Sequence, residues 1–259
     1  MPVYGGIVLS MERFNKILEI DKQNFQAVVE AGVITQLFQE ELEKVGLFYP
    51  VDPASRGSCF IGGNVAECSG GPRAAKYGVT RNYILGLEFV TPTGEIIFTG
   101  SRTIKNVTGY SLAQLICGSE GTLGIVTKIV FRILALPKYK KILLIAYNIV
   151  RDCISSVSEI YSNGVNPAAL EFLTKDAIKA AENQLSKIFP NSSAEAQLLI
   201  ELDGNNEDVL NNDIQTISET VEKYNAVDII LAEDRTKMEE LWALRRSVGE
   251  AVKSISAYK

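Results

Sequence analysis

Ile61-Gly62-Gly63-Asn64-Val65-Ala66-Glu67-Cys68-Ser69-Gly70-Gly71-Pro72 is the stretch on which the reading of this chain turns. Its counterpart further on is Gly118-Ser119-Glu120-Gly121-Thr122-Leu123-Gly124-Ile125-Val126-Thr127. Glycine has no Cβ, so a backbone rich in it can bring its N–H groups close to a ligand and can take positive φ. Two such segments suit a large, flat, phosphate-bearing ligand. From about residue 52 to residue 78 there is almost no periodicity, so this stretch is either a loop with a purpose or disordered. Pro53, Cys59, Ile61 and Tyr77 within it argue against disorder.

Composition narrows the function classes. The chain has 259 residues, 46% of them hydrophobic and 22% charged, as expected of a globular protein of one large or two ordinary domains. The apolar run 142–146 is too short to span a membrane, and Glu12 with Arg13 interrupts any signal-peptide core. A net charge of −5 without a basic run argues against nucleic acid as a partner. Cys59, Cys68, Cys117 and Cys153 form no CxxC pair and read as reduced structural thiols of a cytoplasmic protein. There is no histidine, so no zinc site is recognisable and the expected metal content is none.

Working outward from the glycine segments, 7–9 and 26–30 are strand-like. Thr35 is placed to cap a helix with Phe38, Leu42 and Val45 on its apolar face, ended by Gly46. Segments 85–90 and 95–99 flank Pro92-Thr93-Gly94 as a hairpin. Residues 123–134 form a β-branched strand run, and Pro137, followed by Lys138, Lys140 and Lys141, marks a domain boundary. Beyond it, strands at 142–149, 196–202 and 227–231 alternate with helices at 152–163 and 236–255. Between them Leu210, Ile214, Ile217, Val221 and Tyr224 step as an amphipathic helix. Residues 171–173 close a further strand, or 168–185 is mostly helix. The pattern predicts an α+β unit, one sheet with helices on one face.

Arg245 shares the apolar face of the last helix with Leu241, Val248 and Val252. It reads either as a snorkelling side chain, or one paired with Glu201 or Glu233, or as a clamp whose guanidinium forks onto a substrate carboxylate.

The glycine segments resemble the PCMH-type FAD-binding domain of the vanillyl-alcohol oxidase superfamily. Within it they are most similar to the glycolate oxidase/D-lactate dehydrogenase group of FAD-linked D-2-hydroxyacid oxidoreductases. The likeness runs through Gly5-Gly6-Ile7-Val8-Leu9-Ser10, Phe48-Tyr49-Pro50-Val51-Asp52-Pro53-Ala54-Ser55, Lys76-Tyr77-Gly78-Val79, Lys105-Asn106-Val107-Thr108-Gly109-Tyr110 and Leu241-Trp242-Ala243-Leu244-Arg245, and covers essentially the whole chain. It implies an FAD-binding domain at 1–136, incomplete at its N-terminus, and a ferredoxin-like cap domain at 137–259, incomplete at its C-terminus. The chain would thus be an internal fragment, lacking an upstream pyrophosphate-gripping loop and a downstream histidine-rich segment that carries metal ligands and the catalytic base.

The resemblance also implies roles. Pro50, Asp52, Ala54, Ser55, Gly62, Gly63, Asn64 and Ala66 would line the flavin, with Ser69, Gly70, Gly71, Tyr77 and Gly78 continuing the cradle. Glu120, Gly121, Gly124, Ile125 and Val126 would serve the adenosine side. Neutral backbone donors can hold a pyrophosphate without a basic cluster. Arg245 matches the substrate-carboxylate arginine, and Lys259, at a slightly different spacing, resembles a second carboxylate-binding lysine. Cys68 stands where the family usually has Asn, Ser111 where it has Asp, and Gly249 where 2-hydroxyglutarate enzymes have Thr. No catalytic residue is expected in this chain itself, and without histidine its FAD is non-covalent. The expected partners are FAD, a small 2-hydroxy acid and an electron-transfer protein, in an oligomer. The location implied is cytoplasmic, or peripheral to a membrane through a partner. The alternative is a non-catalytic flavin-binding or partner subunit completed in trans.

Overall fold

The chain divides into two compact units, Met1–Leu136 and Pro137–Lys259, of which the computed structural model describes residues 4–255. The first unit contains β1 (Ile17–Asp21), β2 (Gln26–Glu30), α1 (Thr35–Glu43), β3 (Leu47–Phe48), α2 (Ile61–Glu67), α3 (Ala74–Tyr77), β4 (Ile84–Val90), β5 (Ile96–Gly100), α4 (Leu112–Ile116), β6 (Ile125–Arg132) and β7 (Leu134–Ala135). Five strands form an antiparallel sheet in the order β1-β2-β6-β4-β5. Successive side chains on a strand point to opposite faces. Ala27, Val29, Leu87, Phe89, Ile129 and Phe131 therefore share one face, and Phe38, Leu42, Ile61 and Val65 from α1 and α2 pack on it.

Residues 7–9 are not a strand: Ile7 is 95% exposed and Val8 75%. The partner beside β2 is Ile17–Asp21 instead, antiparallel with a register shift between Ile17 and Glu19. Thr35 is the first residue of α1 rather than its cap, which is Ile34. Its N–H already has a backbone acceptor, Cys59 O at 3.1 Å, and its hydroxyl turns inward to Asn64.

The aperiodic stretch contains two short helices. The sequence offers α2 no side-chain cap and places two glycines in it. The backbone satisfies it instead, Ile61 N–H donating to Val33 O (2.8 Å) and Gly62 N–H to Ala31 O (2.7 Å). A Cβ on Gly62 would lie 2.7 Å from the Ala31 Cβ, so glycine is what lets the helix start this close to its support.

The second unit runs β8 (Tyr139–Tyr147), α5 (Val150–Ser162), β9 (Ala169–Thr174), α6 (Lys175–Leu185), β10 (Ala196–Gly204), α7 (Glu207–Lys223), β11 (Ala226–Ala232) and α8 (Arg235–Ile255). The antiparallel sheet order β11-β8-β10-β9 places a third strand between two joined by a helix. This is the split βαβ arrangement of the ferredoxin-like fold, with α6 inserted after β9. The segment 168–185 is strand then helix, Thr174 accepting from Ala177 N–H at the junction. One expectation fails: helices cover both faces of this sheet, not one. Leu143, Ile145, Leu198 and Ile200 meet α5 and α7, whereas Ile142, Leu144 and Leu199 meet Leu241 and Trp242 of α8. The continuous apolar run of β8 is the physical reason, because a strand buried on both sides has no polar face to leave in water.

Candidate flavin cradle and carboxylate site

The structure brings the two glycine-rich segments together. Gly118 N–H donates to Val65 O (2.9 Å), and Glu120 N–H donates to Ala66 O (2.9 Å). These two bonds dock the turn after α4 against the side of α2. Arg81 adds a third tie, its Nη2 donating to Cys117 O at 3.0 Å. A second junction holds the Pro50–Asp52 strip. Gln39 Nε2 donates to Tyr49 O (3.1 Å) and Val51 O (2.9 Å). Arg73 N–H donates to Asp52 Oδ1 at 3.3 Å, and its guanidinium lies 5.4 Å from the centre of the Phe48 ring.

The sequence-predicted residues divide by what they face. A Cβ on Gly71 would stand 2.3 Å from Asp52 O, so this glycine lets two segments of protein touch. Gly70, Gly78 and Gly124 are likewise closed by Val79, Asn82 and Val90. Gly63 and Gly121 differ: a Cβ on either meets nothing within 4 Å, and both are exposed. They stand on the two segments that Glu120 and Ala66 join. Gly63 and Gly121 thus leave backbone open on the two joined segments, Gly121 with a φ of 74° that itself favours glycine.

The other residues are placed as follows. Pro50 is buried and Asp52 half-buried, while Ala54 and Ser55 are exposed. Asn64 is 2% exposed and its side chain is spent on Thr35 Oγ1 at 2.6 Å. Ala66 is half-buried beside Glu120, and Ser69 O accepts from Thr80 N–H and Oγ1–H. Tyr77 stacks edge-on against Phe48 at 5.6 Å. Ile125 is 45% exposed, and Val126 turns into the core. Arg73, Arg81 and Gln39 were not singled out from the sequence. Arg73 directly follows Gly71-Pro72, and a cation inside a neutral glycine motif was the available signal.

Electrostatics in this unit are set by burial. Removal from water pushes the Tyr83 hydroxyl up to about 12 and raises that of Tyr49. Burial, then contact with the Cys68 thiol, pushes the Cys117 thiol up to about 12.

In the second unit Glu201, on β10, is fully buried. Its Oε2 accepts from Trp242 Nε1 at 2.6 Å, and Lys140 Nζ stands 3.5 Å from Oε1. Arg245 Nε donates to Glu171 Oε2 at 2.5 Å. The partner is neither Glu201 nor Glu233, which takes Lys141 at 2.6 Å. Register explains the choice. Glu171 lies opposite Leu199, and Ala169 opposite Glu201, so both carboxylates face α8. Trp242 and Arg245, one helical turn apart, each meet one of them. Lys259 lies outside the described residues. Among the described residues no group of three His, Cys, Asp or Glu could hold a metal ion, and no helix is long and apolar enough to cross a membrane.

The chain thus carries an antiparallel sheet with two docked glycine-rich segments, followed in sequence by a ferredoxin-like unit with a carboxylate-paired arginine. The family of FAD binding domains matches residues 1–100, and that of FAD linked oxidases, C-terminal domain, matches residues 136–259. Between them the two families cover most of the chain, which thus belongs to the FAD linked oxidases, with FAD as its cofactor. It is 43% identical over 251 residues to glycolate oxidase subunit GlcD of Bacillus subtilis (strain 168), covering 97% of this chain and 53% of that one. It is 38% identical over 255 residues to a D-lactate dehydrogenase of Anaerostipes hadrus, covering 96% and 54%. The chain therefore spans about half the length of the curated relatives it matches. The solved structure of an alkyldihydroxyacetonephosphate synthase superposes with a TM-score of 0.75 at 23% identity, covering 95% of this chain and 49% of that one, a likeness of fold.

Proposed function

We propose that this chain is part of an FAD-dependent oxidoreductase that converts a D-2-hydroxy acid, of the glycolate or D-lactate type, into the 2-oxo acid. The observation that carries the reading is the junction of the two glycine segments, which leaves Gly63 and Gly121 open on joined backbone. The names of the relatives supply the substrate class. Bound FAD supplies a hydride acceptor at its N5. The residues of this chain hold and orient. Backbone around Gly63 and Gly121 receives the dinucleotide, with no covalent histidyl link because the chain contains no histidine. Arg245 receives the substrate carboxylate on its outer Nη edge, since Glu171 takes only Nε–H. Lys259 would add a second contact to that carboxylate. Two 2-hydroxyacid relatives are named as subunits, which favours a chain that works inside an oligomer beside an electron-transfer partner, in the cytoplasm or at a membrane surface through that partner. A flavin-binding subunit completed in trans is the second reading.

Titration with FAD, followed by flavin fluorescence, tests the cradle. Gly63→Ala is the informative variant, because Ala in a helix is favoured over Gly by roughly 0.5–1 kcal/mol and nothing crowds its Cβ. The variant should melt at or above the parent temperature while binding FAD at least tenfold more weakly. Equal affinity in both proteins would remove Gly63 from the cradle. FAD binding without bleaching by any D-2-hydroxy acid would favour the in-trans subunit.

A further inference from the structure

Arg81 stands on a short 3₁₀ turn, Thr80–Tyr83, fixed from both sides of the seam between the glycine segments. Thr80 donates to Ser69 O through its N–H at 3.0 Å and through its hydroxyl at 2.7 Å. From α4, Gln114 Nε2 donates to Arg81 O at 3.1 Å. The guanidinium reaches the seam itself. Its Nη2 donates to Cys117 O at 3.0 Å and lies 3.1 Å from where a Cβ on Gly118 would stand. Gly118, at a φ of 85°, is exposed and leaves the guanidinium its room. The same Gly118 donates its N–H to Val65 O, so the cation sits at one of the two bonds that dock the segments.

A guanidinium presents its N–H donors in a planar fork, and Cys117 O takes one of them. Arg81 is exposed, and among the described residues no carboxylate pairs with it. Arg73 is different, being 9% exposed with its Nε 3.7 Å from the Asp52 carboxylate. Glu67 and Glu120 are exposed on the two glycine segments themselves. Neutral backbone donors alone would therefore hold a phosphate's charge beside two carboxylates. We propose that Arg81 is a binding residue for the pyrophosphate of FAD, the counter-charge at the seam of the cradle. This role rests on the reading that the joined segments receive FAD. The N–H groups that Cys117 O leaves over fork onto phosphate oxygens. Ser69, Gln114 and Cys117 hold the residue in place beforehand, so little side-chain freedom remains to be lost on binding. Riboflavin carries no phosphate and offers Arg81 no partner.

The test is flavin fluorescence titration of the full chain and of Arg81→Met with FAD and with riboflavin, alongside a thermal melt of each protein. Methionine keeps an unbranched stem and removes the charge. Arg81→Met should bind FAD roughly ten- to a hundredfold more weakly, bind riboflavin as the parent does, and melt close to the parent. Added salt should weaken FAD binding to the parent more than to the variant, because it screens the charge pair. Arg81→Lys, a point charge without the fork, should recover part of the loss. Equal FAD affinity in parent and Arg81→Met, or FAD and riboflavin weakened by the same factor, would assign Arg81 to holding Cys117 O alone and overturn the proposal. FAD binding to the parent that salt leaves unchanged would overturn it without recourse to any variant. No FAD binding by the parent removes the cradle itself, a different failure from an FAD-binding parent whose affinity ignores Arg81.

Discussion

Gly63 and Gly71 belong to one motif in opposite surroundings: the first opens on free space, and the second lets two protein segments touch. At Gly71 a methyl group would enter the Asp52 carbonyl. Gly71→Ala should therefore destabilise the first unit by about 1–3 kcal/mol, the range for overpacking, and weaken FAD binding through displacement of the Pro50–Asp52 strip. A thermal melt equal to that of the parent would show that the strip yields freely. Ser186 carries the opposite imbalance. It ends α6 in the left-handed conformation, with φ 50° and ψ 41°, which costs a non-glycine residue about 1 kcal/mol. Ser186 is exposed, so Ser186→Gly should stabilise by about that amount in urea unfolding, with the slope unchanged.

Among the elements, α8 shows how a sheet chooses the contacts of the helix laid on it. The Glu201 carboxylate is fully buried and accepts from the Trp242 indole N–H, with Lys140 Nζ 3.5 Å from its other oxygen. A hydrogen bond to a charged group is worth roughly 1.5–3 kcal/mol, and a buried acceptor left short of partners is costly. Trp242→Phe keeps the ring and removes the donor. It should cost about 2 kcal/mol in the melting of the second unit, whereas Trp242→Phe with Glu201→Gln should recover part of that loss. Between β4 and β6 the tie is Glu88, which accepts from Lys128 at 2.9 Å and from Thr127 at 2.8 Å. The Lys128 bond holds the Glu88 carboxyl below the usual glutamate range. The folded value lies below the unfolded one. Its stabilisation is thus present above the unfolded value of about 4.3 and is lost as pH falls through the folded value. Glu88→Gln should flatten the acid limb of the stability curve below about pH 4.3 and leave its slope near neutrality unchanged.

At the scale of the whole molecule, apolar exposure stands out. Ile96, Val107, Tyr110 and Leu115 are 72%, 80%, 98% and 62% exposed, all in the first unit. Apolar surface of this extent is a docking liability in isolation, and the purified chain should self-associate at micromolar concentration. A monomer mass by light scattering would count against this.

Much of the architecture was legible in the sequence because the signals are local. The four- and three-residue steps of α7, the all-apolar run of β8 and the turn at Pro92-Thr93-Gly94 each depend on neighbours a few positions away. The family likeness was legible for the same reason, as ordered glycine motifs. What the sequence could not show is every feature completed by a distant partner. Helix α2 forms on two glycines because Ala31 and Val33 supply its acceptors. Thr35 abandons a capping role for Asn64, and Arg245 finds Glu171 through the register of β9 and β10. Propensity and periodicity act within a few residues along the chain and so determined the elements and the kind of ligand. Hydrogen bonds and ion pairs act over a few ångströms in space, so only the tertiary structure decided which glycines are closed by protein and which side chains are already spoken for.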